Sequence, residues 1–508
     1  MKKTLFLILS VLSFGIAQSQ EISDAVRFSQ ENLNGTARFR AMSGAFGALG
    51  GDLSSINVNP AGSAIFANNQ MAITASNSNT KNNSNYFGST NTEKNNSFDF
   101  NQAGLVFVFN NNNRNNEGWK KFSLAINYDN KNNFDNTIGS FGINPTNSIG
   151  NYFLSYANGI PLNSFKDSYY GNLDQATQQA YLAYKAYIID PANNDPNPNE
   201  YISNIAEGGN YYQENTVITN GYNGKLSFNA AASCNDKFFI GINLNSHFVD
   251  YTQSSVFYED NDNTLEPTSY RVNKVQFNND LYTYGSGFSF QLGVIGKITP
   301  EARVGFSYES PTWYKLNDKL TQTLVAVSAN STTGALEPDV VDPNFTNVYA
   351  PYKLQTPGKL TASFAYVFGK TGLISIDYSR KDYSNIRFKP EYDTYYQVLN
   401  NAMDQLLSKT DEVRIGGEYK IERLSLRAGY RFEESPYENK ITIGDLNGYS
   451  AGLGYNFGGT RADLSYAYAK RNSYQFINQG QTPKQGFTDV TKINSITNTV
   501  SLTLLFEL

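Results

Sequence analysis

The chain has 508 residues with 40 Lys and Arg against 45 Asp and Glu, a formal charge of −5, which lacks the basic footprint of a nucleic-acid binder. A single cysteine, Cys234, excludes an internal disulfide framework and a lipid anchor at a signal cleavage site. Mean hydropathy is −0.46 although 36 tyrosines and 34 phenylalanines are present. Many aromatics in a polar chain point to strands with one greasy face.

Met1, Lys2 and Lys3 precede an apolar run from Leu5 to Ile16 and then Ala17, Gln18 and Ser19. That order is a secretory signal, so residues 1–19 are expected to be removed. The apolar run is shorter than the about 20 residues a spanning helix needs, and no later stretch reaches that length.

Residues 20–67 are small, glycine-dense and unlike a strand, as in Gly44-Ala45-Phe46-Gly47-Ala48-Leu49-Gly50-Gly51-Asp52. Glycines allow close backbone approach and positive φ, which suits a compact hatch folded inside a barrel. Pro60 fixes its own φ and biases Asn59 to an extended shape, so Asn59-Pro60-Ala61-Gly62 should form a rigid turn.

From about Met71 to the end, apolar and polar residues alternate with period 2, the signature of a strand with two different faces. Phe122, Leu124, Ile126 and Tyr128 alternate with Ser123, Ala125, Asn127 and Asp129, and Leu424, Leu426, Ala428, Tyr430 and Phe432 repeat the pattern. Fourteen such segments are predicted, over 71–79, 97–109, 120–131, 222–234, 237–251, 283–298, 301–315, 357–368, 371–387, 411–419, 424–432, 449–457, 461–472 and 496–506. Asn235-Asp236, Thr299-Pro300, Gly369-Lys370 and Gly458-Gly459 read as short turns, whereas 132–221, 252–282, 316–356, 388–410, 433–448 and 473–495 read as long loops.

Short turns on one side and long loops on the other are what a transmembrane barrel shows. A bilayer admits only structures whose backbone groups pair internally, so the sheet must close. The expected fold is therefore all-β, a transmembrane antiparallel β-barrel of about fourteen strands over 68–508 with an N-terminal hatch and long extracellular loops. A soluble sandwich or propeller would alternate too, but predicts no such rhythm of connections. Val500, Leu502, Leu504, Phe506 and Leu508 form a terminal strand of the kind barrel-assembly machinery reads, with leucine where an aromatic is usual.

Two long connections contain expected helices, from Asp174 to Ile188 and from Tyr395 to Leu407, read as loop helices packed on the barrel or as a landing site for a greasy solute. The Asn110–Asn113 tract and the run Glu259-Asp260-Asn261-Asp262-Asn263 read as solvated loops; the latter lacks the glycine and distal glutamate of a calcium loop. No metal site or cofactor is expected.

Residues opposite the greasy faces include Arg303, Asp377, Arg414, Glu418, Arg427, Arg431, Asp463 and Glu507. A charge turned to lipid costs about 2–4 kcal/mol at midplane, so these belong in the lumen whatever the cargo. Arg427 and Arg431 can hold a carboxylate or form an internal salt-bridge network. The sole histidine, His247, also faces the lumen, without a serine motif, and reads as a hydrogen-bonded lumen residue. No catalytic residues are expected, and one histidine disfavours haem capture.

The order Ala41-Met42-Ser43-Gly44-Ala45-Phe46, then Gly51-Asp52, then Asn59-Pro60-Ala61-Gly62, ahead of fourteen strands, resembles the long-chain fatty acid transporters of the outer membrane, a family that includes aromatic-hydrocarbon channels. Thr356-Pro357-Gly358-Lys359-Leu360 and Leu426-Arg427-Ala428-Gly429-Tyr430, followed by Ser435-Pro436, are similar to strand starts of that family. The resemblance implies a monomeric passive carrier in the Gram-negative outer membrane, among outer-membrane lipid. It takes a hydrophobic small-molecule ligand from outside, past a mobile hatch and often sideways into the membrane. By it Asn59, Pro60, Ala61 and Gly62 lie near the path, with Phe39 and Phe46 as further hatch residues. A structural or adhesive barrel acting through its outer loops, and a polar porin, are the competing readings.

Overall fold

The computed structural model describes residues 20–111, 118–263, 270–330, 333, 336–476 and 489–508. The expected signal at 1–19, and residues 112 and 113 of the asparagine tract, lie outside the described residues. Fourteen antiparallel strands close a barrel. They are β1 (Gln70–Tyr86), β2 (Ser89–Asn110), β3 (Trp119–Asn133), β4 (Tyr211–Cys234), β5 (Phe238–Asn261), β6 (Tyr270–Lys297) and β7 (Ala302–Glu309). The second half comprises β8 (Lys359–Phe368), β9 (Gly372–Asp382), β10 (Lys409–Ile421), β11 (Leu424–Glu433), β12 (Ile443–Asn456), β13 (Thr460–Phe476) and β14 (Val490–Glu507). Each strand pairs with the next over at least part of its length, and β14 returns to β1 from Gln70↔Glu507 to Asn85↔Lys492, so the sheet closes into a ring.

The alternation sorts as the bilayer demands. On β3, Phe122, Leu124 and Ile126 are exposed to the outside while Ser123, Asn127 and Asp129 are buried in the lumen. The same holds on β14, where Val500, Leu502 and Leu504 face out and Thr499, Ser501 and Thr503 face in. Among the described residues no helix is long and apolar enough to cross a membrane. The short turns stand where expected, with Asn235 and Asp236 both at φ 51°.

The outer side differs from the sequence expectation in extent. Much of what reads as loop in 132–221, 252–282 and 316–356 is strand: β4, β5 and β6 run well beyond the greasy belt, Asn136–Asn144 pairs with β4, and Trp313–Asn330 pairs along β6. The β1–β2 connection is likewise a long hairpin turning at Phe87 and Gly88. Beyond the bilayer a strand's outward face meets water instead of lipid, and on β5 and β6 the apolar phase turns inward against the cap through Phe257, Val275 and Phe277, so the outward greasy phase that marks the belt is lost.

The expected strand 301–315 breaks at Ser310-Pro311-Thr312. Pro311 has no N–H for a ladder, Ser310 N–H donates to the Phe290 carbonyl at 2.9 Å, and Thr312 N–H turns to Thr356 Oγ1 at 2.9 Å. The run Glu259–Asn263 is not a solvated loop at its start. Glu259 is buried on β5, where its carboxylate accepts from Ser148 Oγ, from the Ile149 N–H at 2.8 Å and from Gln213 Nε2 at 2.8 Å. Glu507 lies at an exposed end of β14 rather than inside.

Outside the membrane belt the long connections fold into a cap. Helices α3 (Ile149–Ala157) and α4 (Gln175–Lys185) share an apolar core with the outer parts of β5 and β6, and α5 (Thr394–Leu406) covers a second core. The two expected loop helices thus exist and pack inward, through Leu182 and Ala183 on α4 and Leu399 and Met403 on α5.

Candidate functional site

The N-terminal segment fills the lumen. It opens with α1 (Ile22–Ser29), continues through an extended stretch to α2 (Ala37–Ala41), and ends in two 3-10 turns at Leu53–Asn57 and Pro60–Ile65. Helix α1 lies on the cap side, where Ala25, Val26 and Phe28 are fully buried against Val249, Tyr251, Tyr314 and Leu316. The Arg27 guanidinium lies 4.4 Å from the Tyr251 ring centroid and pairs with Asp24.

Caps and turns give the plug its shape. Thr36 caps α2 at the Phe39 N–H and donates to Asp52 Oδ1 at 2.7 Å, and the same carboxylate oxygen receives the Ser54 N–H at 2.9 Å. Asn59 caps the last turn, its Oδ1 accepting the Ala61 N–H at 3.1 Å while Nδ2 donates to Gly47 O at 2.8 Å and Val294 O at 3.0 Å. Phe39 and Phe46 pack on each other with ring centroids 5.4 Å apart.

Plug and wall are joined around the circumference. Asp377 on β9 accepts the Phe46 and Gly47 N–H groups at 2.9 and 3.0 Å. Arg303 donates to Leu49 O, Gln291 to Val58 O, and Ser43 meets Ser450. Arg38 reaches Glu418 at 2.9 Å, and Arg427 bridges Glu418 at 2.6 Å and Asp463 at 2.7 Å. Wall glycines admit the plug backbone: a β-carbon on Gly416 would come within 2.6 Å of Met42 O, and one on Gly305 would collide with the Gly47 carbonyl. These wall glycines, spread over several strands, are the functional feature that reading the sequence missed. Glycine on a lumen-facing phase was the signal available.

Between α1, α2 and the wall formed by β1, β2 and β11 to β14 lies a cavity of about 530 Å³. Its lining mixes hydroxyls and amides with Phe134, Ile138, Val217 and Leu446, and carries five cations against two carboxylates, Asp99 and Asp135. Of the sequence-predicted residues, only Arg431 reaches it. Arg427 is spent in its ion pairs with 1% of its side chain exposed. Asn59, Pro60, Ala61 and Gly62 lie buried at the plug–wall contact, with Phe39 and Phe46 in the plug's own core, all apart from the cavity lining. His247 is a buried hydrogen-bonded lumen residue, Nε2 2.9 Å from Ser289 Oγ.

Two plug groups carry the electrostatics. Burial would raise the Glu31 carboxyl, but the ammoniums of Lys131, Lys381 and Lys359 outweigh it and hold that carboxyl well below its usual range. Its distances to the three nitrogens are 2.9, 3.8 and 3.6 Å, so one plug carboxylate ties β3, β9 and β8 together. Arg40 is pressed down to about 10 by burial and then by the nearby Arg431, with Asp99 opposing.

Beside the cavity the wall ladder is interrupted. β2 and β3 pair only from Gln102↔Asp129 to Asn110↔Lys121, although β2 extends out to Ser89 and β3 to Asn133. Side chains alone cross the gap, Asn133 Nδ2 donating to Ser97 Oγ at 3.3 Å and also to Asp99. Outside it stand exposed Phe98 and Phe100, the latter stacked on Tyr128.

A closed fourteen-stranded barrel whose lumen is occupied by its own N-terminal segment, with a cavity left against the wall, belongs to the plugged transmembrane barrels. Residues 199–506 match the family described as outer membrane protein transport protein (OMPP1/FadL/TodX), and the chain belongs to that family. Its fold is also that of a Pseudomonas aeruginosa FadL homologue, at 12% identity and TM-score 0.51, and of the P. putida toluene transporter TodX, at 13% and 0.51. In both cases the match covers 94% of this chain and 99% of the other. No curated protein matches the sequence.

Proposed function

We propose that this protein is a passive outer-membrane transporter of hydrophobic small molecules such as long-chain fatty acids, gated by residues 20–67 as a hatch. The observation that carries the reading is the placement of the 530 Å³ cavity directly beside the interrupted β2–β3 ladder, above a plug that closes the rest of the lumen. A hydrophobic solute gains about 25 cal/mol for each Å² removed from water, so capture needs burial and shape, not an energy source. From the cavity the gap at Ser97, Asp99 and Asn133 offers a way sideways into lipid, past Phe98, Phe100 and Tyr128.

In this reading Asn59, Pro60, Ala61 and Gly62, with Phe39 and Phe46, hold the hatch in its closed position rather than touch cargo. The chain acts as a monomer in outer-membrane lipid, after signal removal and assembly by the barrel machinery, and without catalysis. The test is uptake of a labelled long-chain fatty acid by liposomes carrying the purified barrel, compared with an Asn59→Ala, Pro60→Ala double variant. Uptake in the parent that changes in a folded variant supports gated transport. Parent uptake no faster than in protein-free liposomes, for fatty acid and hydrocarbon alike, would leave the structural or adhesive barrel as the better reading.

A further inference from the structure

On the outside of the barrel three lysines stand in one row. The outer segments Trp313–Asn330, Tyr352–Gln355 and Arg387–Lys389 continue the wall beside β6, and their register sets Lys315 directly opposite Lys353 and Lys353 directly opposite Lys389. All three point away from the lumen, because the alternate positions Tyr314, Leu316, Tyr352, Leu354 and Phe388 are buried. Lys319, on the same face further out, sits over the Tyr282 and Tyr284 rings at 5.9 and 5.5 Å.

Adjacent strands are about 4.8 Å apart, and like charges directly opposite each other are destabilising. The protein does little to offset this row. Among the described residues Lys315, Lys319 and Lys353 have no carboxylate within ion-pair distance, and Lys389 meets only the exposed Glu391, at 3.6 Å. Arg387, in the row beneath, is taken by Asp404 at 2.8 Å, while Asp250 and Asp280 on the adjoining strands accept from Tyr282 and Ser254. At the outer ends of β9 and β10, by contrast, the basic groups are paired: Arg380 lies 3.7 Å from Asp411 and Lys409 3.7 Å from Asp382.

Height decides what meets the row. Lys315 pairs with Ser286 of β6, eleven positions before the periplasmic end of that strand at Lys297. At about 3.3 Å per residue and a tilt of about 40°, this is about 28 Å along the membrane normal, just above an apolar band about 25 Å tall. Directly beneath stand exposed Phe288 and Trp313, with the Phe290 ring 6.4 Å from that of Trp313. The ammoniums therefore lie at headgroup level, their stems along the top of the greasy belt.

We infer that Lys315, Lys353 and Lys389, with Lys319, form an outward-facing site for the phosphate of an anionic lipid of the outer leaflet, whose chains run down beside Trp313 and Phe288. A phosphate accepts charge-assisted hydrogen bonds from several ammoniums at once and removes the repulsion along the row. The site anchors one sector of the wall to the surrounding leaflet. It is separate from the lumen and independent of what crosses it.

Trp313 is a reporter built into the site. The chain has two tryptophans, so Trp119→Phe leaves Trp313 alone beside the row. The full barrel carrying this change is reconstituted into phosphatidylcholine vesicles containing brominated phosphatidate or, at the same mole fraction, brominated phosphatidylcholine, and quenching of Trp313 fluorescence reads which lipid is adjacent. Each lysine near an anionic lipid surface contributes severalfold, so phosphatidate should be enriched at Trp313 at least about fivefold at low ionic strength. Lys315→Gln, Lys353→Gln and Lys389→Gln together should bring the ratio to about one, whereas Lys315→Arg, Lys353→Arg and Lys389→Arg should keep it. Heat-modifiable migration on gels establishes that each variant is folded. Equal quenching by the two lipids in the parent, or an undiminished ratio in the folded glutamine variant, overturns the site. Loss of the preference on adding excess glycerol phosphate would assign the row to a soluble anion and overturn the lipid assignment; a preference that survives it supports the headgroup.

Discussion

Asn59 offers the sharpest test of how the hatch is held. Its amide makes three short contacts, to Ala61 N, Gly47 O and Val294 O at 3.1, 2.8 and 3.0 Å, and a longer one to Phe306 O at 3.5 Å. Two of the short ones shape the plug, and the others tie it to β6 and β7. The residue is 1% exposed, so water cannot replace the amide after truncation. At about 1 kcal/mol net for each hydrogen bond, Asn59→Ala should destabilise the docked plug by about 3 kcal/mol. That corresponds to a roughly hundredfold rise in the released population. Hydrogen exchange followed by mass spectrometry on the reconstituted barrel reads this directly. Amides of residues 47–66 should exchange about a hundredfold faster in the variant, with the strand amides of β8 to β11 unchanged. Exchange within about threefold of the parent would show that Asn59 does not hold the plug, and that its wall contacts are redundant with those of Asp377 and Gln291. Faster exchange of plug and strands together would instead mean that the plug is part of the barrel's cooperative unit.

Gly305→Ala places a β-carbon against the Gly47 carbonyl. Overpacking of this kind costs about 1–3 kcal/mol, so the variant should show raised conductance in planar bilayers while its outer wall remains closed. Arg427→Met leaves Glu418 and Asp463 buried with fewer partners, a loss of about 3–5 kcal/mol. It should lower the temperature of heat-modifiable migration, and a thermal shift indistinguishable from the parent would contradict the ion-pair assignment. With Cys234 first replaced by alanine, a Ser97→Cys, Asn133→Cys pair should halt fatty acid uptake when oxidised and restore it on reduction. Undiminished uptake in the cross-linked barrel would rule out the sideways route. Burial, reinforced by Asp24, raises the Glu21 carboxyl from 4.5 to about 8. A raised carboxyl stabilises α1 docking fully below pH 4.5 and ceases to do so as pH passes about 8. Exchange at Ala25–Ser29, corrected for its intrinsic pH dependence, should therefore be slower near pH 5 than near pH 9, and Glu21→Gln should flatten the difference.

The period-2 alternation and the rhythm of short turns and long loops together determined from sequence that the chain is a barrel of about fourteen strands, because within a bilayer every strand must turn one greasy face outward and one polar face inward. The same physics hid the outer extensions. Asn77 to Asn85 and Ser89 to Asn96 meet polar surroundings on both sides, so nothing in their order separates strand from loop. The plug was legible as glycine-dense non-strand sequence with a turn at Asn59 to Gly62. Its fit against Gly305 and Gly416 was not, since that depends on which strands the closed ring brings to it. Arg427 and Arg431 show the division most plainly. They sit four residues apart on one face of β11 and are indistinguishable in sequence. Register sets Arg427 opposite Glu418 and Arg431 opposite Arg414, and α2 adds Arg40 from almost 400 positions away in the chain. Which arginine is neutralised and which is left facing the cavity is decided by neighbours across the sheet and across the lumen, and only the tertiary structure supplies them.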